Sequence, residues 1–104
     1  LVVLALSNLL SNAIDFAPEG SSIHVDLEPG RVSVRDHGPG VPEALLGRLG
    51  ERFFTTPRPN GERSGTGLGL SIVLRIMLLH GGSMQAANAH PGLRVTLNWP
   101  QRAP

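Results

Sequence analysis

Residues 65–79, with the sequence GTGLGLSIVLRIMLL, combine three alternating glycines with a long apolar run. The apolar run predicts the strongest helix of the chain, from Gly67 through Leu79, and Gly81-Gly82 provides the residues that end it. Free backbone N–H groups and the positive end of such a helix together suit a phosphate group. A Walker-type loop is excluded, because no Gly-Lys-Ser/Thr follows and the chain contains no lysine.

The segment in front of this helix, residues 50–67, is rich in Gly, Pro and Arg and has no sustained periodicity. Long loops inside a compact domain are usually functional lids or disordered, and we expect a lid at about residues 48–66. It begins with Glu51-Arg52-Phe53-Phe54, in which an aromatic ring can dock the lid on the body. A small hydrophobic cluster with solvated arginines is an equally good interpretation of these residues.

Residues 1–16 carry apolar side chains near helical spacing, and Pro18 and Gly20 end the predicted helix. Asn8 and Asn12 are four residues apart and therefore project from one face. An amide oxygen is a suitable ligand for Mg2+, and Asn8 could orient Asn12 or a bound water. A surface pair is the alternative, but two poor helix formers in mid-helix need another reason.

Two short runs, residues 22–28 and 31–36, predict a β-hairpin that turns at Pro29-Gly30. The second run leads into Asp36-His37-Gly38-Pro39-Gly40. A carboxylate at a strand end can accept a hydrogen bond from an adenine amino group and would repel the oxygen of guanine. Glycines at positions 38 and 40 would let a flat base approach the backbone. The alternative is a tight turn capped by the aspartate.

A short helix near residues 42–49 and strands near 83–88 and 93–99 complete the pattern. The order α-β-β-α-α-β-β predicts an α+β two-layer sandwich, with helices on one face of a mixed, mostly antiparallel sheet. A length of 104 residues corresponds to about one domain. The net charge of +1 without a basic block indicates no nucleic-acid partner, and the absence of cysteine excludes disulfides and thiolate metal sites.

Four of these segments, in this order, resemble the N, G1, F and G2 boxes of the ATP-binding domain of sensor histidine kinases. That domain has the Bergerat fold and belongs to the GHKL superfamily, with type II topoisomerases, chaperone ATPases and mismatch-repair ATPases. The matching segments are residues 8–15, 36–40, 51–54 and 65–70. Residues 12–16 and 57–61 are also similar to the CreC type of sensor kinase.

The resemblance implies ATP and Mg2+ as cofactors, with Asn12 as the metal ligand and Asp36 as the carboxylate that reads adenine. The residues that it implies at the nucleotide are Asn8, Asn12, Asp36, Gly38, Gly40, Phe53, Gly65, Thr66, Gly67, Leu68 and Gly69. Two positions depart from the usual kinase pattern, since Asp15 stands where a basic residue is common and Phe16 where Tyr is common.

The resemblance also implies a protein-histidine kinase that positions Mg-ATP for transfer of a phosphoryl group to a histidine on a separate dimerisation domain. That domain then phosphorylates the receiver domain of a response regulator. None of the four histidines, His24, His37, His80 and His90, has the sequence context of the acceptor, so the chain is expected to bind ATP without autophosphorylation.

Because the family's domain starts earlier, residues 1–104 are expected to be a single ATP-binding domain that lacks its N-terminal part. The chain is expected to be soluble and cytoplasmic, and its parent to be anchored in the bacterial inner membrane.

Three alternatives remain open. An ATP-hydrolysing relative is favoured by Asp15, but such enzymes use a glutamate as base one turn before the Mg2+ ligand, where this chain has Asn8. A serine kinase of the anti-sigma-factor kind uses the same pocket, and the sequence separates it poorly. A third alternative is a module that holds nucleotide without catalysis.

Overall fold

The computed structural model describes residues 2–51 and 69–100 of the chain. Every element predicted in these ranges is present, although the strand predicted over residues 22–28 starts later and the short helix predicted over residues 42–49 is a 3-10 helix. The elements are α1 (Val2–Phe16), β1 (His24–Glu28), β2 (Arg31–Arg35), the 3-10 helix (Glu43–Arg48), α2 (Gly69–Leu79), β3 (Ser83–Asn88) and β4 (Leu93–Asn98).

The strands form a four-stranded sheet in the order β1-β2-β4-β3. Each pairing among these strands is antiparallel, as predicted for most of the sheet. Strand β4 therefore lies between β2 and β3, and the turn joining β3 to β4 reaches the end of β2. This sheet order brings residues that are far apart in sequence to one end of the sheet.

The helices cover one face of the sheet and enclose the core between the two layers. Helix α1 buries Ala5, Leu9 and Ala13, which recur every four residues and so share one face. The sheet contributes cross-strand pairs such as Val34 with Val95. Helix α2 adds Leu70, Val73, Ile76 and Met77. This two-layer arrangement confirms the predicted α+β sandwich.

Helix α2 ends where the glycine pair predicted. The N–H of Gly82 donates to the carbonyl of Met77 at 2.7 Å, and the N–H of Gly81 donates to that of Leu78 at 3.1 Å. These bonds satisfy carbonyls that the last turn of a helix leaves without partners. In the part of the chain that the structure describes, no helix is long and apolar enough to cross a membrane.

Candidate functional site

A buried carboxylate lies in the turn that follows β2. Asp36 is only 3% exposed. Its Oδ1 accepts hydrogen bonds from the N–H groups of Gly38 at 2.8 Å and Leu93 at 3.3 Å. Its backbone N–H donates to the carbonyl of Leu93 at 3.1 Å. Within the described ranges, no hydrogen bond reaches Oδ2. One oxygen is thus fixed by the backbone while the other remains for a donor.

Two glycines allow the surrounding backbone to approach this turn. A Cβ on Gly38 would collide with the carbonyl oxygen of Phe16, at the end of α1, and a Cβ on Gly92 would collide with that of Asp36. The sequence suggested that Gly38 makes room for a base. The structure gives this glycine an additional reason, because the turn packs directly against the end of helix α1.

Gly40 has a φ of 72°, a conformation that side chains rarely adopt. A Cβ there would also lie 2.6 Å from Oδ1 of Asn88, at the end of β3. The Asn88 amide bonds both backbone groups of Val41, the residue after Gly40. It accepts from the Val41 N–H at 2.8 Å and donates to the Val41 carbonyl at 2.6 Å. Sequence reasoning missed Asn88, since an asparagine at a strand end carries no distinguishing local pattern.

Arg35 connects the same end of β2 to the turn between β3 and β4. Its Nη2 donates to the carbonyls of Pro91 at 3.1 Å and Ala89 at 3.4 Å, while its buried Nε has no partner in the described structure. These bonds hold the turn beside Asp36, where Leu93 begins β4. Arg35 was also missed, because its partners lie more than fifty residues away along the chain.

The asparagines predicted on the first helix are half-buried on α1. Asn8 donates from Nδ2 to the carbonyl of Leu4 in its own helix at 3.0 Å. Asn12 makes no hydrogen bond to another described residue. Phe16 follows Asn12 by four residues on the same face, and its carbonyl contacts the turn at Gly38. The helix thus places Asn12 one turn before its contact with the Asp36 turn.

Most of the predicted phosphate-binding residues lie outside the described residues, namely Phe53, Gly65, Thr66, Gly67 and Leu68. Gly69 is the first residue of α2, and a Cβ built on it would meet no atom within 4 Å. No described neighbour therefore requires a glycine at this position, and its role at a phosphate stays a prediction.

The described residues contain no group of three or more histidine or acidic side chains that could hold a metal ion. Mg2+ in nucleotide sites usually relies on one or two protein oxygens together with phosphate oxygens and water, so a preformed cage is not needed. The amide oxygen of Asn12, on the helix face that leads to the Asp36 turn, is the kind of donor that fits this arrangement.

The four histidines lie at separate places in the fold, apart from the neighbouring rings of His24 and His37. His37 lies in the turn, and its Nδ1 donates to the carbonyl of Ser22 at 2.8 Å. His24 starts β1, with its ring centroid 5.0 Å from that of His37. His80 directly follows α2, and His90 lies between β3 and β4. That none of them accepts a phosphoryl group stays a prediction.

Residues 1–103 match the family described as histidine kinase-, DNA gyrase B-, and HSP90-like ATPase. The chain belongs to this family. It is 47% identical to the sensor protein QseC of Escherichia coli strain K12 over 93 residues, which are 88% of this chain and 20% of QseC. It is 44% identical to the sensor protein CreC of the same strain over 92 residues, or 85% of this chain and 19% of CreC.

Solved structures of histidine kinases agree with the fold. The mycobacterial sensor histidine kinase MprB is 32% identical with a TM-score of 0.78, over 97% of this chain and 70% of that one. The cytoplasmic segment of QseC is 30% identical with a TM-score of 0.64, over 97% of this chain and 49% of that one. The resemblance inferred from the four boxes and the predicted Bergerat fold are both confirmed, and the similarity to CreC agrees with the sequence. The chain spans about a fifth of the length of QseC and CreC.

Proposed function

We propose that the chain binds ATP with Mg2+ and is the ATP-binding catalytic domain of a sensor histidine kinase. The observation that carries the proposal is the buried Asp36 carboxylate, with one oxygen fixed by two backbone N–H groups and the other without a described partner. A preorganised acceptor of this kind suits a flat base with an exocyclic amino group. Membership of the ATPase family supports the same ligand.

Recognition of adenine rests on charge and on hydrogen-bond direction. Oδ2 of Asp36 accepts from the adenine amino group, whereas the guanine carbonyl in the same place would set two acceptors against each other. By the resemblance to the family, the backbone at Gly38 and Gly40 would border the base, while the Phe16 carbonyl and the Asn88 amide take the places of the absent side chains. The pocket therefore prefers ATP and ADP to GTP.

The phosphates lie toward α1 and the start of α2. Asn12 would hold Mg2+ through its amide oxygen, and the metal, when bound, would neutralise charge on the phosphates. Backbone N–H groups of Gly65, Thr66, Gly67, Leu68 and Gly69 would donate to the phosphates in front of α2. By the resemblance to the family, a lid at about residues 48–66 would cover the phosphates, and Phe53 would dock it on the body. Residues 1–104 form one domain in this proposal.

The names of the relatives extend the proposal to the parent protein. QseC and CreC are sensor proteins, and a cytoplasmic segment of QseC has been solved. By this similarity, the γ-phosphoryl group moves from ATP to a histidine nitrogen on a separate dimerisation domain, leaving ADP, and then passes to the receiver domain of a response regulator. The domain would work in the cytoplasm beneath a parent anchored in the inner membrane.

Net ATP hydrolysis is disfavoured by the residue one turn before Asn12. An ATPase of this superfamily needs a carboxylate base there, and this chain has the amide of Asn8, which cannot take up a proton and whose nitrogen bonds the Leu4 carbonyl. We therefore expect the purified chain to bind ATP and to turn it over very slowly.

Calorimetric titration of the chain with ATP, ADP and GTP, each with and without Mg2+, tests the proposal. We expect ADP and ATP to bind and GTP to bind far more weakly. Mg2+ should strengthen the binding of ATP more than the binding of ADP. A hydrolysis assay on the same sample separates a kinase domain from an ATPase. Equal binding of GTP and ATP, or no nucleotide binding by a folded sample, would contradict the proposal.

A further inference from the structure

The side chain of Asn88 bonds the backbone of the loop that follows the Asp36 turn. Residues 37–42 contain two glycines and two prolines and form no regular structure. The N–H and carbonyl of Val41, a residue only 7% exposed, find their partners in this one side chain. A planar amide offers a donor and an acceptor side by side, so Asn88 bonds Val41 much as a neighbouring strand would.

The glycine next to Val41 is fitted to this bond. Oδ1 of Asn88 lies where a Cβ of Gly40 would come within 2.6 Å, so the amide can approach only because position 40 has no side chain. The positive φ of Gly40, 72°, is a second reason for a glycine at this position. Gly40 and Asn88 therefore act together to give the loop one conformation.

A second bond joins the same side chain to the segment in front of the proposed lid. Nδ2 of Asn88 also donates to Oε1 of Glu43 at 3.2 Å, and Glu43 is the first residue of the 3-10 helix. That helix ends at Arg48, where the proposed lid begins. Asn88 thus bonds the chain at two points, Val41 and Glu43, between the base-binding turn and the start of the proposed lid.

We propose that Asn88 is a positioning residue for the nucleotide, which holds the loop at Gly40 and Val41 in its binding conformation without touching the ligand itself. This inference rests on the proposed function. When the bond is absent, the two backbone groups of Val41 need other partners, the loop samples other conformations, and the fraction of molecules ready to bind falls. Apparent affinity falls by the same fraction.

The test compares Asn88→Ala with Gln85→Ala in the 104-residue chain. Gln85 is an exposed polar residue of the same strand, and its side chain lies on the opposite face. Two measurements are made on each variant, calorimetric titration with ADP and hydrogen exchange of the Val41 amide by NMR. Urea unfolding of each variant shows that the titrated sample is folded.

We expect Asn88→Ala to lower the affinity for ADP about tenfold, which is the effect of losing roughly one hydrogen bond. The Val41 amide should exchange at least about tenfold faster in this variant, because its acceptor is gone. Gln85→Ala should change neither value. Normal ADP affinity in Asn88→Ala, with faster exchange at Val41, would overturn the positioning role and leave the proposed function intact.

A second pair of variants separates positioning from a general loss of stability. Asn88→Asp keeps an acceptor for the Val41 N–H but sets a carboxylate against the Val41 carbonyl and Glu43. Adding Glu43→Gln supplies an amide donor and removes one charge but leaves the carboxylate facing the Val41 carbonyl, so the double variant should recover only part of the lost affinity. Unchanged ADP affinity in folded Asn88→Asp, in which the Val41 carbonyl has lost its donor, would overturn the role assigned to Asn88. Failure of the unchanged chain to bind any adenine nucleotide would overturn the proposed function and this inference together.

Discussion

Replacing Asp36 with asparagine changes one atom of the proposed base site and little else. The two side chains have the same shape, and an asparagine Oδ1 can still accept from the N–H groups of Gly38 and Leu93. The amide nitrogen takes the place of Oδ2, which turns the acceptor for the adenine amino group into a donor. The fold should therefore persist while the base meets a mismatched group.

The loss of affinity can be estimated from the bond that disappears. A hydrogen bond to a charged group contributes about 1.5–3 kcal/mol, which corresponds to roughly a 10- to 150-fold change in Kd. Two opposed donors in a buried site add to that loss. Stability should change by no more than about 1 kcal/mol, because loss of the charge weakens two backbone bonds and also removes the cost of burying a carboxylate.

The assay is calorimetric titration of Asp36→Asn with ADP and GDP, with urea unfolding as the control for folding. We expect ADP to bind at least about tenfold more weakly and the preference for adenine over guanine to shrink, since an amide can donate to the guanine oxygen. Unchanged ADP affinity and unchanged preference in a folded variant would refute the reasoning, because Asp36 would then not read the base.

Three further predictions follow from other parts of the structure. In titrations, Asn12→Ala should remove most of the gain in ATP affinity that Mg2+ provides, and it should leave the affinity for ADP without Mg2+ unchanged. An equal loss of affinity for ATP with Mg2+ and for ADP without Mg2+ would contradict the role of Asn12 as a metal ligand. Gly92→Ala should lower the free energy of unfolding in urea by about 2 kcal/mol or more, because the new Cβ would meet the Asp36 carbonyl. Gly20 has a similar φ but lies in open space, so Gly20→Ala should lower the free energy of unfolding by only about 1–2 kcal/mol. Equal losses of unfolding free energy in the two glycine variants would argue against close packing at position 92. Leu9 is only 1% exposed, so Leu9→Ala should lower the free energy of unfolding by about 2–5 kcal/mol in the same urea experiment. A loss below about 1 kcal/mol would contradict the place of Leu9 in the core.

The elements of the fold could be predicted from sequence because their signals are local. Pro29-Gly30 marks the hairpin and Gly81-Gly82 ends α2, each within a few residues of the element that it limits. The 3-10 helix could not be distinguished from an α-helix, since it is only six residues long and its type depends on bonds such as Leu45 N–H to the Pro42 carbonyl. The first strand starts at His24, later than predicted, and the Ser22 carbonyl accepts from the ring of His37.

The candidate site was only partly predictable, because its residues were identified one segment at a time. Asp36 and its glycines stand in a recognisable pattern, and the family comparison agrees with the boxes that contain them. Asn88 and Arg35 have no such pattern, and their partners lie about fifty residues away in sequence. Residues of this kind become visible only when the sheet order is known.

The register of β2 against β4 explains how the carboxylate comes to be fixed. Arg35 pairs with Arg94, so the next pair along the ladder is Asp36 with Leu93. The Asp36 N–H donates to the Leu93 carbonyl, but the return bond from the Leu93 N–H goes to the side chain rather than to the backbone. Because side chains alternate between the faces of a sheet, Asp36 follows Val34 to the side covered by the helices. A slip of one residue in this pairing would turn the carboxylate away from α1, so the pairing that closes the core also orients the group proposed to read the base.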